Sequence, residues 1–221
     1  MSERVRFYFD PVCPWCYQTS RWALRLEQLG VVELGWGVFS LELQNAGAEP
    51  EELAAAHARS ARALRTAIMV RDVAGEAAVG AFYKAIGERF HERGEPLEDP
   101  ATVEAALADA GLDPSLSEKA WADDTTAERV AAEHRALRER TRSFGVPTIV
   151  LDGGEGPAIF GPVITDVPDD GDAEELWRHV SWLVRHESFA ELKRDRLAAP
   201  DLESVRRWQR GRADAEQSPP A

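Results

Sequence analysis

The first forty residues show both periodicities of regular secondary structure. Apolar side chains at every second position predict a strand over residues 4–9. A helix is predicted over residues 14–29, with a proline in its first turn and a glycine just after its end. Residues 31–41 are again rich in β-formers. Strand, helix and strand in this order predict a parallel βαβ unit.

Residues 45–143 lose the strand signal and show helical spacing instead. One buried helical stripe consists of Val79, Phe82, Tyr83, Ile86 and Phe90. Further helices are predicted to start at Asp99, at Asp113 and at Thr125, because each of these residue types is a preferred N-cap. The whole block is therefore predicted to be one helical unit.

The remaining chain returns to strands and then to a helix. Two apolar runs, 148–151 and 158–164, flank a glycine-rich turn and predict an antiparallel hairpin. Asp172 opens the last predicted helix, which has one apolar side. The polar, proline-containing end of the chain is predicted to be partly disordered.

Composition excludes several functional classes. The 26 Lys and Arg residues against 39 Asp and Glu give a net charge of −13, which disfavours nucleic acid and anionic membranes as partners. Hydrophobic residues make up 44% of the chain, as is typical of a globular protein. No run approaches the roughly 20 apolar residues that span a bilayer. With no signal-peptide pattern at Met1–Asp10, we expect a cytoplasmic protein. The oligomeric state stays open, a homodimer included.

Both cysteines of the chain lie in one short motif, Cys13-Pro14-Trp15-Cys16. A structural zinc site needs four ligands, and the five histidines are scattered without the usual spacing, so we expect no metal. A CxxC beside a βαβ unit instead predicts redox chemistry. At a helix N-terminus such a cysteine has a pKa of about 3.5 to 7. Cys13 is therefore predicted to be an exposed nucleophile, and Cys16 the resolving thiol.

The position of this motif, directly after the first strand, specifies the fold class. The order β-α-β, helical insertion, β-β-α predicts an α/β protein with a thioredoxin-like fold and a large α-helical insertion. Residues 1–44 and 144–196 would form a discontinuous thioredoxin-like domain and 45–143 the inserted domain. Residues 197–221 would form the C-terminal tail.

Val146-Pro147 precedes the third predicted strand. Since only about 5 to 6% of X–Pro bonds in folded proteins are cis, the sequence by itself favours trans. In thioredoxin-fold proteins, however, a cis-proline at this place packs beside the CxxC and presents the preceding backbone to the substrate. Gly145-Val146-Pro147-Thr148 stands where that proline is required.

Several segments resemble one known family. They are Phe7 to Cys16, Ser20-Arg21-Trp22, Ser40-Leu41 with Asn45, Arg89-Phe90-His91, Gly145 to Thr148, Phe160-Gly161-Pro162-Val163 and Glu191-Leu192-Lys193-Arg194. They resemble the DsbA family, and within it the cytoplasmic mycothiol-dependent nitroreductases of actinobacteria. The resemblance implies a two-cysteine reductase with no tightly bound cofactor. Mycothiol, a low-molecular-weight thiol, would be the electron-donating co-substrate, and disulfides or small nitro-aromatic compounds would be the acceptors.

The same resemblance, together with the position of Asn45 and His57 where the second strand passes into the insertion, suggests which residues contact substrate. They are Pro14, Trp15, Val146, Pro147, Asn45, His57 and His91. For Asn45 and His57, a helix cap or a solvated helix residue is an equally good interpretation. For His91, the alternative is a histidine at a helix end whose hydrogen bonds are satisfied, which is common. Trp15 stands where the CPHC motif of DsbA has a histidine, whose charge stabilises the neighbouring thiolate. We therefore expect the Cys13–Cys16 pair to have a reduction potential below the roughly −120 mV of DsbA.

Two alternatives remain from the sequence. An isomerase or thiol transferase resembling 2-hydroxychromene-2-carboxylate isomerase would not require a second cysteine, so Cys16 argues against it. A non-enzymatic thioredoxin-fold binding module would carry a vestigial CxxC.

Overall fold

A computed structural model describes residues 2–217, and a mixed four-stranded sheet lies at its centre. The strands are β1 (Glu3–Phe9), β2 (Val32–Val38), β3 (Thr148–Leu151) and β4 (Ala158–Phe160). Their order in the sheet is β2-β1-β3-β4, with β1 and β2 parallel and β3 antiparallel to both of its neighbours. The predicted βαβ unit, the hairpin and the α/β class are confirmed.

The central strand β1 carries the aromatic core of the sheet. Phe7 lies opposite Trp36 in the register of β1 and β2, and both side chains are buried. Gly37 lies opposite Tyr8, and a Cβ at Gly37 would come within 2.4 Å of the Tyr8 ring. Glycine is therefore required there for the two strands to pair. At its carboxyl end, β1 leads directly into the CxxC.

The helix α1 (Pro14–Gln28) follows β1 and crosses back to β2, as predicted. Pro14 occupies the first turn, where its missing N–H is not needed. Trp22 faces inward, and its Nε1–H donates to the Ala173 carbonyl at 3.1 Å. This contact joins α1 to α9 (Asp170–Arg185) on the same side of the sheet.

The block between β2 and β3 is helical in the structure, as predicted. Its helices are α2 (Leu41–Asn45), α3 (Glu51–Ala58), α4 (Ala61–Ala74), α5 (Glu76–Gly87), α6 (Pro100–Asp109), α7 (Leu116–Ala122) and α8 (Asp124–Thr141), with a π-helical turn at Glu88–Glu92. Two predicted starts were wrong. Helix α7 starts after Ser115, and Asp123 caps α8 in place of Thr125, because its carboxylate accepts the Thr125 N–H at 3.0 Å.

The insertion packs tightly on the sheet. A Cβ at Gly80 of α5 would lie 2.5 Å from Nε1 of Trp36. On α8, Glu133 accepts the backbone N–H of Val38 at 3.1 Å. One continuous hydrophobic core therefore includes sheet and insertion. The division into 1–44 with 144–196, and 45–143, stays a prediction.

The C-terminal region contains more structure than predicted. After α9, residues 186–202 form no helix or strand, and α10 (Glu203–Gln217) follows. Helix α10 thus lies within the segment predicted to be partly disordered, residues 218–221 lie outside the described part, and that prediction stays a prediction. Sparse apolar residues hid this helix, which is docked by the buried Leu202 and by Ser204. None of the described helices is long and apolar enough to cross a membrane.

Candidate active site

Cys13 occupies the N-cap of α1, and its sulfur accepts the helix's unpaired backbone N–H groups. The Cys16 N–H donates to Cys13 Sγ at an N···S distance of 3.4 Å. The Cys13 N–H in turn donates to the Asp10 carbonyl at 3.1 Å, which fixes the turn before the helix. Both cysteines are free thiols. The backbone geometry is that of a nucleophilic cysteine at a helix N-terminus.

The proline loop lies against this sulfur from the other end of the chain. The Val146-Pro147 bond is cis, as the resemblance implied and against the preference for trans that the sequence by itself gave. The Cys13 thiol donates to the Val146 carbonyl at an S···O distance of 3.8 Å. Thr148 and Ser143 hold the loop, because both hydroxyls donate to the Gly145 carbonyl. Of the predicted substrate residues, Val146 and Pro147 are thus brought to Cys13.

Cys16 lies deeper than Cys13. It is 0% exposed, and its thiol donates to the Tyr8 carbonyl at an S···O distance of 3.7 Å. Burial raises the pKa of Cys16 well above its ordinary value, and the neighbouring Cys13 raises it further. Of the two sulfur-bearing residues, Cys13 is therefore the nearer to the surface, at 9% exposed.

The pKa of Cys13 contradicts the sequence-based expectation. Cys13 is 9% exposed, and its burial raises the pKa of the thiol to about 12, while the backbone N–H groups of Cys16 and Trp15 oppose that shift. In this closed form, desolvation raises the pKa of Cys13 by more than the helix N-terminus lowers it. Both the low pKa and the exposed sulfur were therefore wrong for this state.

Residues 186–202, which we call the strap, contact the CxxC through Arg196. The Arg196 guanidinium lies over the Trp15 ring, with Cζ 4.5 Å from the ring centroid. Arg196 also lowers the pKa of Cys13, as the smallest of the resolved influences after burial. Thr165 donates to the Ala198 carbonyl at 3.4 Å and holds the strap nearby. The sequence analysis missed Arg196, because it stands in a charge-rich segment without periodicity.

His91 lies behind the CxxC loop and not on a substrate surface. It is 0% exposed, its Nε2–H donates to the Pro11 carbonyl at 2.9 Å, and its Nδ1 accepts the Ser204 hydroxyl at 2.8 Å. This tautomer follows from the partners, since the carbonyl can only accept. Burial lowers the pKa of His91 to about 3. The neutral ring therefore positions the residues before Cys13 in this state.

Asn45 and His57 make local contacts. The Asn45 amide donates to the Leu41 carbonyl at 2.9 Å within α2, and His57 Nδ1 pairs with Glu49 at 2.8 Å. Both side chains are half-buried. Neither has a hydrogen bond to the cysteines among the described contacts. The interpretation of these two as cap and solvated-helix residues fits the structure better than direct substrate contact does.

Asp10 is a second residue that the sequence analysis missed. Its carboxylate is fully buried and accepts the backbone N–H groups of Val12 at 3.0 Å and Leu41 at 2.7 Å. Burial raises the pKa of Asp10 to about 6, and these two N–H groups oppose the shift. Asp10 thereby connects the CxxC turn to the first helix of the insertion. The signal that the sequence offered for Asp10 is its position as a polar residue directly after an apolar strand.

An aromatic pair lies beside the proline loop. Phe144 is 65% exposed, and its ring lies 4.5 Å from that of Phe160, centroid to centroid. Gly145 permits this approach, since a Cβ there would lie 3.3 Å from the Phe160 ring. Exposed aromatic surface next to a reactive group is typical of a binding site for apolar ligands.

No metal site accompanies the dithiol. Within residues 2–217, no three His, Cys, Asp or Glu side chains come together in a way that could hold a metal ion.

A sheet with a CxxC at the start of α1 and a cis-proline against its first sulfur defines a DsbA-like thioredoxin-fold protein of the oxidoreductase class. The chain belongs to the Rv2466c-like family, described as mycothiol-dependent nitroreductase Rv2466c, whose model matches residues 12–194. It is also 34% identical over 205 residues to the protein Rv2286c of Mycobacterium tuberculosis, covering 91% of this chain and 85% of the relative.

Solved structures support the fold. The cytosolic disulfide reductase DsbM from Pseudomonas aeruginosa, solved with GSH, matches at a TM-score of 0.57 and 15% identity, over 81% of this chain and 99% of that one. A 2-hydroxychromene-2-carboxylate isomerase matches at 0.56 and 18% identity, over 96% and 98%. Since both activities occur on this fold, the fold alone does not distinguish them, and the site residues must.

Proposed function

We propose that this protein is a cytoplasmic thiol–disulfide oxidoreductase that cycles Cys13 and Cys16 through a mixed disulfide with a low-molecular-weight thiol. The observation that carries the proposal is the position of Cys13. Its sulfur accepts the Cys16 N–H at 3.4 Å and faces the carbonyl that precedes the cis-proline. Membership of the mycothiol-dependent family supports mycothiol as that thiol.

The reductive half of the cycle consists of two exchanges. A thiolate of the co-substrate attacks Cys13 Sγ of the Cys13–Cys16 disulfide, and the electron pair of the broken S–S bond passes to Cys16. A second co-substrate thiolate then attacks the mixed disulfide at the co-substrate sulfur. The products are the oxidised co-substrate disulfide and the reduced protein, with protons supplied by the two thiols.

The oxidative half transfers two electrons to an acceptor. With a disulfide acceptor, Cys13 forms the mixed disulfide and Cys16 resolves it. With an aromatic nitro compound, two electrons and two protons reduce the nitro group to a nitroso group and water, while the protein disulfide re-forms. The exposed Phe144 beside Phe160 favours flat aromatic acceptors, which would lie against their rings near Cys13.

The closed strap requires that one step of the cycle uncover Cys13. With a pKa near 12, the buried thiol supplies almost no thiolate at neutral pH. Displacing Arg196 from Trp15 would let water reach the sulfur, and the helix N–H groups would then act on a better solvated thiolate. Opening of the strap is therefore part of the proposed cycle.

The isomerase-type alternative uses neither this pair nor its spacing. An isomerase or thiol transferase on this fold would not require Cys16 to lie one turn behind Cys13 and to share its N-cap geometry. The two-cysteine arrangement thus favours the redox reaction.

The test uses the Cys16→Ser variant, which lacks the resolving thiol. Incubated with oxidised mycothiol, it should accumulate one mycothiol per chain on Cys13, seen as a mass increase and located by peptide mapping. Cys13→Ser with Cys16 intact is the matched control and should acquire none. If the Cys16→Ser variant forms no adduct with mycothiol or with any other disulfide, the proposed function is wrong.

A further inference from the structure

One buried hydroxyl near the dithiol has no hydrogen-bond partner. Tyr83 of α5 is 0% exposed, and its ring stacks on Phe9 with centroids 3.9 Å apart and lies edge-on to Trp36. Among the side chains that the structure describes, its hydroxyl is one of the few buried polar atoms left unsatisfied. Buried phenols usually have a partner, because an unmade hydrogen bond is costly. The hydroxyl has no partner at hydrogen-bond distance in this state, although Cys16 and Ser20 lie close enough to act on it electrostatically.

The group beside this hydroxyl is the sulfur of Cys16. Burial raises the pKa of Cys16 most, and Tyr83 is the largest of the influences that lower it. In the dithiol form Cys16 donates its own proton to the Tyr8 carbonyl at 3.7 Å, and its neutral sulfur is only a weak acceptor for the Tyr83 O–H. A Cys16 thiolate would reverse this arrangement. The thiolate has no proton to donate, and because its sulfur is buried away from water, it requires a hydrogen-bond donor from the protein.

We propose that the Tyr83 hydroxyl is a catalytic hydrogen-bond donor that stabilises negative charge on Cys16 during thiol–disulfide exchange. The inference rests on the proposed function. When a thiolate attacks Cys13 of the disulfide, the S–S bond breaks and its electron pair goes to Cys16, which accepts the Tyr83 O–H. In the opposite direction, Cys16 attacks the mixed disulfide on Cys13 as a thiolate, the electron pair of the broken S–S bond goes to the bound thiol, and the proton that Cys16 loses is balanced by the one that the released thiolate takes up.

The surroundings of Tyr83 suit a donor and exclude a base. Burial raises the pKa of Tyr83 well above its ordinary value, and the neighbouring Cys16 and Cys13 raise it further, so the phenol keeps its proton. The other acidic group that acts on Cys16 is Asp10, whose charge raises the pKa of Cys16. Ser20 also lies near the phenol. Since Cys16 is 0% exposed, Tyr83 replaces the water that would otherwise solvate the leaving sulfur.

The experiment separates the two exchanges of the reduced protein with the aromatic disulfide of thionitrobenzoate. Attack by Cys13 releases one coloured thiol, and attack by Cys16 on the resulting mixed disulfide releases a second. In Tyr83→Phe the first phase should keep its rate, while the second becomes about tenfold slower or more, as expected for a lost hydrogen bond to a charge. The pH midpoint of the second phase should move upward.

Tyr17→Phe is the matched control. Tyr17 is also a buried tyrosine, at 2% exposed, but its hydroxyl donates to Glu92 at 2.7 Å and not to a sulfur. Its second phase should keep the rate and pH midpoint of the native protein. If Tyr83→Phe does the same, the inference about Tyr83 is wrong although the proposed function stands. If the native protein shows no first phase, the proposed function itself fails.

Stability provides a second readout. Because the Tyr83 hydroxyl is unsatisfied, Tyr83→Phe should be as thermally stable as the native protein or more so, whereas a purely structural hydroxyl would lower the melting temperature. Should that variant fail to fold, ring-fluorinated tyrosine incorporated throughout makes every phenol a stronger donor. It should then accelerate the second phase of the native protein, and an unchanged phase would overturn the proposal.

Discussion

The Arg196 guanidinium covers the ring of Trp15, the residue that separates Pro14 from Cys16, with Cζ 4.5 Å from the ring centroid. A residue of the strap thus contacts the CxxC itself, across most of the length of the chain. Arg196 has two opposed effects on Cys13. Its charge favours the thiolate, whereas its guanidinium covers the ring of Trp15 close to the buried Cys13. Burial has a larger effect on the pKa of Cys13 than the charge of Arg196 has. Covering of the CxxC by Arg196 should therefore affect the reactivity of Cys13 more than its charge does.

Arg196→Ala should therefore make Cys13 more reactive. A cation–π contact of this kind is worth about 0.5 to 1 kcal/mol, so alkylation of Cys13 at neutral pH should be about two- to fivefold faster. The rate is measured with iodoacetamide and peptide-resolved mass spectrometry. Arg194→Ala, an exposed arginine of the same strap, should react like the native protein. Slower alkylation of Arg196→Ala would mean that its charge outweighs the cover.

His91→Gln should change how stability depends on pH. The pKa of His91 is lowered to about 3 from 6.5, so between these values the unfolded chain binds a proton that the native state does not. The native protein therefore loses stability as the pH falls from 6.5 toward 3, on the order of 5 kcal/mol in total from this residue. His91→Gln has no titrating group at this position, so it should not lose this stability as the pH falls.

The measurement is the free energy of unfolding in urea at pH 7 and at pH 4. The stability advantage of the native protein over His91→Gln should shrink at the lower pH. Asp10, whose pKa is raised to about 6, acts in the opposite direction but is present in both proteins and cancels in the difference. An advantage that stays constant with pH would show that His91 is not neutral and buried in the native state.

Trp15→His should make the dithiol couple more oxidising. A histidinium beside Cys13 stabilises its thiolate and with it the reduced protein, and about 30 mV corresponds to 1.4 kcal/mol for two electrons. We expect the native couple to lie below roughly −120 mV and the variant to shift upward by at least about 30 mV. Equilibration in glutathione redox buffers measures both. Trp182→His, at an exposed position of α9, should leave the potential unchanged.

Phe144→Ala should weaken binding of aromatic acceptors and leave exchange with the small thiol intact. Losing one aromatic contact should raise KM for a nitro-aromatic compound about two- to tenfold, with kcat little changed. Steady-state kinetics with mycothiol as reductant give both constants. Trp182→Ala removes an equally exposed ring elsewhere. If the two variants have the same KM, the rings of Phe144 and Phe160 do not bind the acceptor.

The sequence predicted those features that depend on local pattern. The alternation in β1, the proline in the first turn of α1 and the CxxC after the strand each specify their own conformation, and the structure has all three. The pKa of Cys13 could not be predicted in this way, because the helix N-terminus is a local feature whereas desolvation depends on what covers the sulfur. Arg196, which lies over the neighbouring Trp15, stands in the strap, a segment with no periodicity.

Contacts between distant segments were missed for the same reason. The spacing of the α5 stripe predicted that Tyr83 is buried, but not that its hydroxyl would lie beside Cys16. Similarly, a histidine at the end of that stripe could be placed near the site through family resemblance. Its partners, Pro11 and Ser204, came only from the structure. Periodicity specifies which face of a helix is inward and leaves open which residue it meets.

The hydrogen bonds from Ser204 to His91 and from His91 to Pro11 connect segments that the ribosome makes at very different times. The loop carrying Cys13 leaves the ribosome early, and α10 follows only after the sheet, the insertion and the strap have been synthesised. In a nascent chain the thiol pair is therefore made long before Ser204, the last residue of this hydrogen-bonded connection. The contact from Ser204 through His91 to Pro11 can form only late in the synthesis of the chain, although the loop that it supports is among the first segments to be translated.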